Sequence, residues 1–146
     1  MHRFLAFLFI CFPFQAFASF SGNYSGKGQA VSHPQEKVRA CSQIFLSMKT
    51  VNKTLSVLQG GYSCGDMQAS YPSFSLQIVG TKLVSEGTVV GTYSDSEIDL
   101  YKEDKSEGYT FHLQLKKSAN TIAYREDWTD GGKPALTILG PLKLVP

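Results

Sequence analysis

Apolar and polar residues alternate along this chain in runs that recur roughly every 8 to 12 residues, separated by Gly, Asn, Asp and Ser turns. No window of about 11 residues keeps a helical period. A chain with that pattern is all-β. Strands are expected near residues 22–31, 42–51, 54–63, 74–79, 82–85, 88–93, 97–102, 109–117, 120–128 and 134–144. Ser32 to Ala40 is the one polar connector that could hold a helical turn, and Gly65 to Pro72 is the longest other loop. Short turns between consecutive strands make sequence neighbours pair as a meander. So many strands would expose edges if the sheet stayed open, so the economical solution is a closed antiparallel β-barrel. A two-sheet sandwich is the alternative, but Greek-key crossings need longer connections than these turns supply.

Turn positions set testable registers. A two-residue turn at Asn52-Lys53 places Met48 against Val57 and Thr50 against Leu55, and the same register sets Cys41 opposite Cys64. A bulge at Gly60-Gly61 could shift that pairing. A turn at Gly80-Thr81 sets Ile78 against Leu83, and one at Glu86-Gly87 sets Leu83 against Val90. A loop centred on Ser118-Ala119 pairs Leu115 with Ile122, Leu113 with Tyr124, Phe111 with Glu126 and Tyr109 with Trp128. His112, Gln114, Lys116, Arg125 and Asp127 then face water.

The chain opens with Arg3 and an apolar run ending in Ala16-Phe17-Ala18, the small-x-small pattern of a cleaved signal peptide, with cleavage expected after Ala18. The run, interrupted by Pro13 and Gln15, is shorter than the roughly 20 residues a transmembrane helix needs, so no transmembrane anchor is expected. A lipid-modified Cys11 is the rival, but Ile10 is bulky where a lipobox wants a small residue. Export leaves residues 19–146 as a single domain, periplasmic in a Gram-negative bacterium and otherwise secreted. In an oxidising compartment the remaining pair, Cys41 and Cys64, reads as a disulfide. With neither cysteine in a C-x-x-C and only His33 and His112 to assist, no metal site is expected. The 14 basic and 12 acidic residues are mixed along the chain, so no field is available to attract nucleic acid. A monomer is expected.

The glycines of Phe20 to Gln29 pose a choice between a phosphate loop and a bent first strand. A phosphate loop of the G-x-x-x-x-G-K-[ST] kind needs four residues between its glycines and a hydroxyl after the lysine. Gly22 and Gly26 are separated by three, and Gly28 follows Lys27. Glycines that let a first strand curve where a small barrel closes fit better, with Tyr24 filling one end. Gly22-Asn23-Tyr24-Ser25-Gly26 also resembles the glycine-x-tryptophan element that opens the first strand of lipocalins and the wider calycin group, with Tyr24 in the tryptophan's place. The resemblance implies a calycin-like barrel over residues 20 to 145. The chain departs from the family at Tyr24 and in having no late-strand arginine placed to cover it. Related haem-binding barrels carry a histidine in the later strands. Nothing after His112 is a histidine and His112 faces outward, so neither haem nor another cofactor is expected.

One constellation is unusual. In Ile122 to Trp128, Glu126 shares a face with Ile122, Tyr124 and Trp128, and a carboxylate among aromatics needs hydrogen bonds or a cation. Glu126 is either a polar anchor behind an apolar pocket, assisted by the Tyr124 hydroxyl and the Trp128 indole, or a solvated rim residue near the Asp130-Gly131-Gly132 turn. Catalysis is not expected, since no G-x-S-x-G elbow exists and His33, before Pro34 in a polar connector, is expected to be exposed. Two functions remain. One is a barrel that binds a small apolar or amphipathic molecule among Tyr24, Met48, Phe111, Tyr124, Glu126 and Trp128. The other is an exported inhibitor or protein-interaction module that meets a protein target through Ser19 to Asn23 and the Gly65 to Pro72 loop.

Overall fold

The computed structural model describes residues 20–146; the expected leader at 1–18 lies outside them. The architecture is one antiparallel sheet closed into a barrel. Its strands are β1 (Gly22–Ser32), β2 (Lys37–Val51), β3 (Thr54–Cys64), β4 (Met67–Tyr71), β5 (Phe74–Val79), β6 (Lys82–Ser85), β7 (Thr88–Tyr93), β8 (Glu97–Asp104), β9 (Tyr109–Ser118), β10 (Thr121–Asp130) and β11 (Lys133–Val145). Neighbours in sequence pair in order except at β4, where β5 pairs with β3 instead, and β1 closes the ring by pairing with both β2 and β11. Among the described residues no helix is long and apolar enough to cross a membrane.

The expected loop at Gly65 to Pro72 is instead β4. Strand β3 is long enough to pair with two successive partners, with β5 through Thr54–Val57 and with β4 through Gly60–Cys64. Pro72, which cannot donate to a ladder, stands at the break between them. Ser32 to Ala40 holds no helix: a turn at 33–36 leads directly into β2 at Lys37. Three registers also differ. Strand β9 turns into β10 through Ala119-Asn120, so Tyr124 faces Leu115, Glu126 faces Leu113 and Trp128 faces Phe111. That is a slip of two residues, which leaves every side chain on its expected face. Leu83 faces Gly91 rather than Val90, because a bulge at Val90 separates it from the Val84–Val89 pair.

The third difference concerns the disulfide. Met48 pairs with Val57 and Thr50 with Leu55 as the turn requires, but Ser47 then pairs with Gln59, so the bulge lies at Leu58 and not at the glycines. On β2 the register against β1 also jumps, from Gly26–Ile44 to Gly28–Cys41, and Ser42 and Gln43 are both exposed. One extra residue on each strand returns Cys41 to Cys64, and the two are joined.

The interior divides into two halves. At the end bearing the Asn52, Gly80 and Ala119 turns, side chains fill the barrel completely: Phe20, Leu55, Leu83, Ile98, Leu115 and Ile122 are all buried to within 1 %. Phe20 lies beneath this end, edge-on to the Tyr93 ring at 6.1 Å and with the Lys117 ammonium 5.8 Å from its own ring centre. The opposite end, bearing the Glu86, Gly108 and Gly131 turns, is not filled.

Candidate functional site

A cavity of about 440 Å³ opens at that second end, within the range of small-molecule sites. Its walls are apolar: Phe74 and Leu76 of β5, Val90 of β7, Leu100 of β8, Phe111 of β9 and Trp128 of β10. Two features of the sheet create the opening. Strands β7 and β8 pair only through Gly91–Leu100, Thr92–Asp99 and Tyr93–Ile98, so they part above that point. Strand β4 pairs with β3 alone and leaves its second edge beside the same gap. Lys102 and Asp104 continue the inward-facing positions of β8 beyond Leu100 and stand at the mouth. Asp104 is held below the usual carboxylate range by hydrogen bonds from the Ser106 hydroxyl and the Glu107 amide.

Of the six residues expected to bind, Phe111 and Trp128 line this cavity, with ring centres 4.9 Å apart. Tyr24 and Met48 belong to the packing of the filled half. Tyr124 and Glu126 are buried behind the wall rather than on it. Glu126 is 0 % exposed, so it is not a solvated rim residue. Its Oε1 accepts the Trp128 indole N–H at 2.5 Å and its Oε2 accepts the Tyr124 hydroxyl. The Tyr124 oxygen in turn lies 3.5 Å from the hydroxyl of Tyr71, which does line the cavity. No ion pair to Glu126 occurs among the described residues. Desolvation therefore pushes its carboxyl above the usual range, and the two hydrogen bonds only partly oppose this.

That shift has a sign that can be measured. A carboxyl whose folded pKa exceeds its unfolded value of about 4.5 contributes stability below that value and loses it as the pH rises through the folded pKa. Asp127 does not mask the trend. Burial opposes its charge, but hydrogen bonds from Arg125 and Thr137 outweigh burial and hold it below its usual range, so it stays ionised throughout that window. In urea denaturation, wild type should lose stability relative to Glu126→Gln as the pH rises above about 5. Parallel pH profiles for the two proteins would contradict the buried, uncompensated carboxyl.

The outer face carries a second polar chain. His33, expected to be exposed, is half-buried, with Nδ1 2.8 Å from Glu36 Oε1 and Nε2 3.2 Å from Thr137 Oγ1. The order carboxylate, imidazole, hydroxyl is that of an acid–base–nucleophile set. Here, however, the Thr137 hydroxyl donates to Asp127 Oδ1 at 2.7 Å and Thr137 is buried, so its oxygen is not presented to a substrate. His112 faces outward as expected and is bonded to Asp99 at 3.0 Å. Among the described residues no group of three or more His, Cys, Asp or Glu is placed to hold a metal ion.

Sequence reasoning did not find Tyr71, Phe74, Leu76, Val90 and Leu100 as cavity residues. Phe74, Leu76 and Leu100 lie on the inward faces of strands that were expected. Tyr71 lies in the segment read as a loop, and Val90 reaches the cavity through its bulge. No family model matches the chain, and no curated protein matches its sequence.

Proposed function

We propose that the protein is an exported, lipocalin-like barrel that holds a small apolar or amphipathic molecule in the unfilled half of its interior. The observation that supports this reading is the contrast between the two halves: one packed to exclusion, the other left hollow behind an aromatic wall and opened by a gap in the ladder. Leaving Phe74, Phe111 and Trp128 around an empty space forgoes the contacts a packed core would supply, and a ligand would restore them. Lys102 and Asp104 at the mouth allow a polar head to remain in water while a tail enters. The disulfide fits an oxidising compartment.

Trp128 is the only tryptophan and is part of the cavity wall, so the protein contains its own reporter. Titration with fatty acids and neutral amphiphiles should quench or blue-shift its emission in a saturable way. Val90→Phe, which places a ring in the cavity, should weaken that binding by about tenfold or more. An unchanged spectrum across the whole panel, in protein that retains its barrel, would instead favour an inhibitor or interaction module that meets a protein target through its N-terminal segment and residues 65–72.

A further inference from the structure

The hydrogen-bond chain behind the cavity wall has a direction. Trp128 N–H can only donate, and it takes one oxygen of Glu126; the Tyr124 proton takes the other. Having given its single proton to Glu126, Tyr124 can only accept, so the bond to Tyr71 forms only if Tyr71 donates. The Tyr71 proton is then committed inward, and its oxygen offers the cavity lone pairs alone. Tyr71 is brought to this position by β4, and its ring lies over Gly60, where a Cβ would stand 2.3 Å from the ring and hydroxyl. Beyond these, Tyr62 and Asp127 are the titratable groups that interact with Glu126, a phenol and a carboxylate that supply no compensating positive charge.

From this geometry we infer that the cavity selects a ligand whose polar group is a hydrogen-bond donor, such as an alcohol, over an equally shaped ligand that can only accept, such as a ketone. The inference rests on the cavity being the binding site. Glu126 is the positioning residue, acting through Tyr124, and Tyr71 is the group that meets the ligand. An acceptor-only ligand would place its carbonyl against the Tyr71 lone pairs and leave both unpaired in a partly dry site.

Glu126→Gln should reverse the chain. The glutamine oxygen must still accept from Trp128, so its amide N–H faces Tyr124 and donates to it. Tyr124 then gives its proton to Tyr71, and the Tyr71 proton is released toward the cavity. A change of one atom behind the wall thus converts the cavity hydroxyl from acceptor to donor, with almost no change in shape.

The test compares 2-decanol with 2-decanone by titration calorimetry on the folded, disulfide-bonded protein over a pH series that climbs from the ordinary carboxylate range, because burial raises the Glu126 carboxyl and the chain runs in this direction when Glu126 is ionised. Wild type should bind the alcohol about fivefold or more tightly than the ketone. Glu126→Gln should lose or invert that preference, and Tyr71→Phe should bind both compounds alike. Equal wild-type affinities, or a preference that survives Tyr71→Phe, would overturn the selectivity while leaving the cavity as the binding site. Failure of either compound to bind any of the three proteins would overturn the cavity reading and the selectivity together.

Discussion

Gly26→Ala should destabilise the barrel by about 3 kcal/mol, a large part of what a domain of this size has to lose. A Cβ at Gly26 would stand 2.0 Å from the carbonyl oxygen of Pro141, and one at Gly28 2.2 Å from that of Leu139. The obstacle is backbone on β11, not a side chain that can rotate away. Strand β1 crosses β11 so closely here that Gly140 on the facing strand is constrained as well, with a Cβ 2.6 Å from Lys27 O. Gly80→Ala is the instructive control. Gly80 has nothing within 4 Å of a built Cβ but a φ of +63°, so its cost is conformational alone, about 1 kcal/mol. Urea midpoints should therefore rank Gly26→Ala well below Gly80→Ala. The reverse order would mean that the first strand does not need its close crossing.

Phe20→Ala should cost about 4 kcal/mol, the upper range for deleting a large buried side chain. Phe20 is wholly buried, packs against Tyr93, and is covered by Lys117. The next residue is anchored too, since the Ser21 hydroxyl accepts the Thr50 amide N–H at 2.8 Å. The substitution opens the filled end of the barrel to water. Because the cavity lies at the other end, ligand affinity of the folded protein should be unchanged, which separates a loss of stability from a loss of site. A cost below about 1 kcal/mol would mean that the packing around Phe20 contributes little.

Inside and outside were legible in the sequence far better than partners were. Glu126 was placed inward with Tyr124 and Trp128 through a register wrong by two residues, because a slip of two preserves the face of every side chain. The slip itself arose because Ala119 adopts φ +53°, a conformation that glycine or asparagine takes readily and alanine does not. Strand β4 was hidden for a different reason. Its sequence, Met67-Gln68-Ala69-Ser70-Tyr71 after Gly65-Asp66, has little local preference for a strand, and its pairing with the upper half of β3 is tertiary. Missing β4 concealed Tyr71, and with it the link between Glu126 and the cavity. That one half of the barrel is hollow could not be read from alternation, because filled and empty halves have the same period. The difference lies in how far the inward side chains reach across a barrel whose β7 and β8 separate.

The paired bulges of β2 and β3 have a consequence for how such a chain can change length. Side chains alternate with a period of two, so a single inserted residue exchanges inside for outside everywhere beyond it on that strand. Leu58 makes that exchange on β3, and the Ser42-Gln43 step makes it on β2. The two act as parity changes that cancel, returning the cysteines to each other. The hairpin therefore tolerates insertions and deletions as matched pairs across the ladder: one residue lost from either strand alone would turn its cysteine to the outside, whereas one lost from each would leave the disulfide and the wall above it in place.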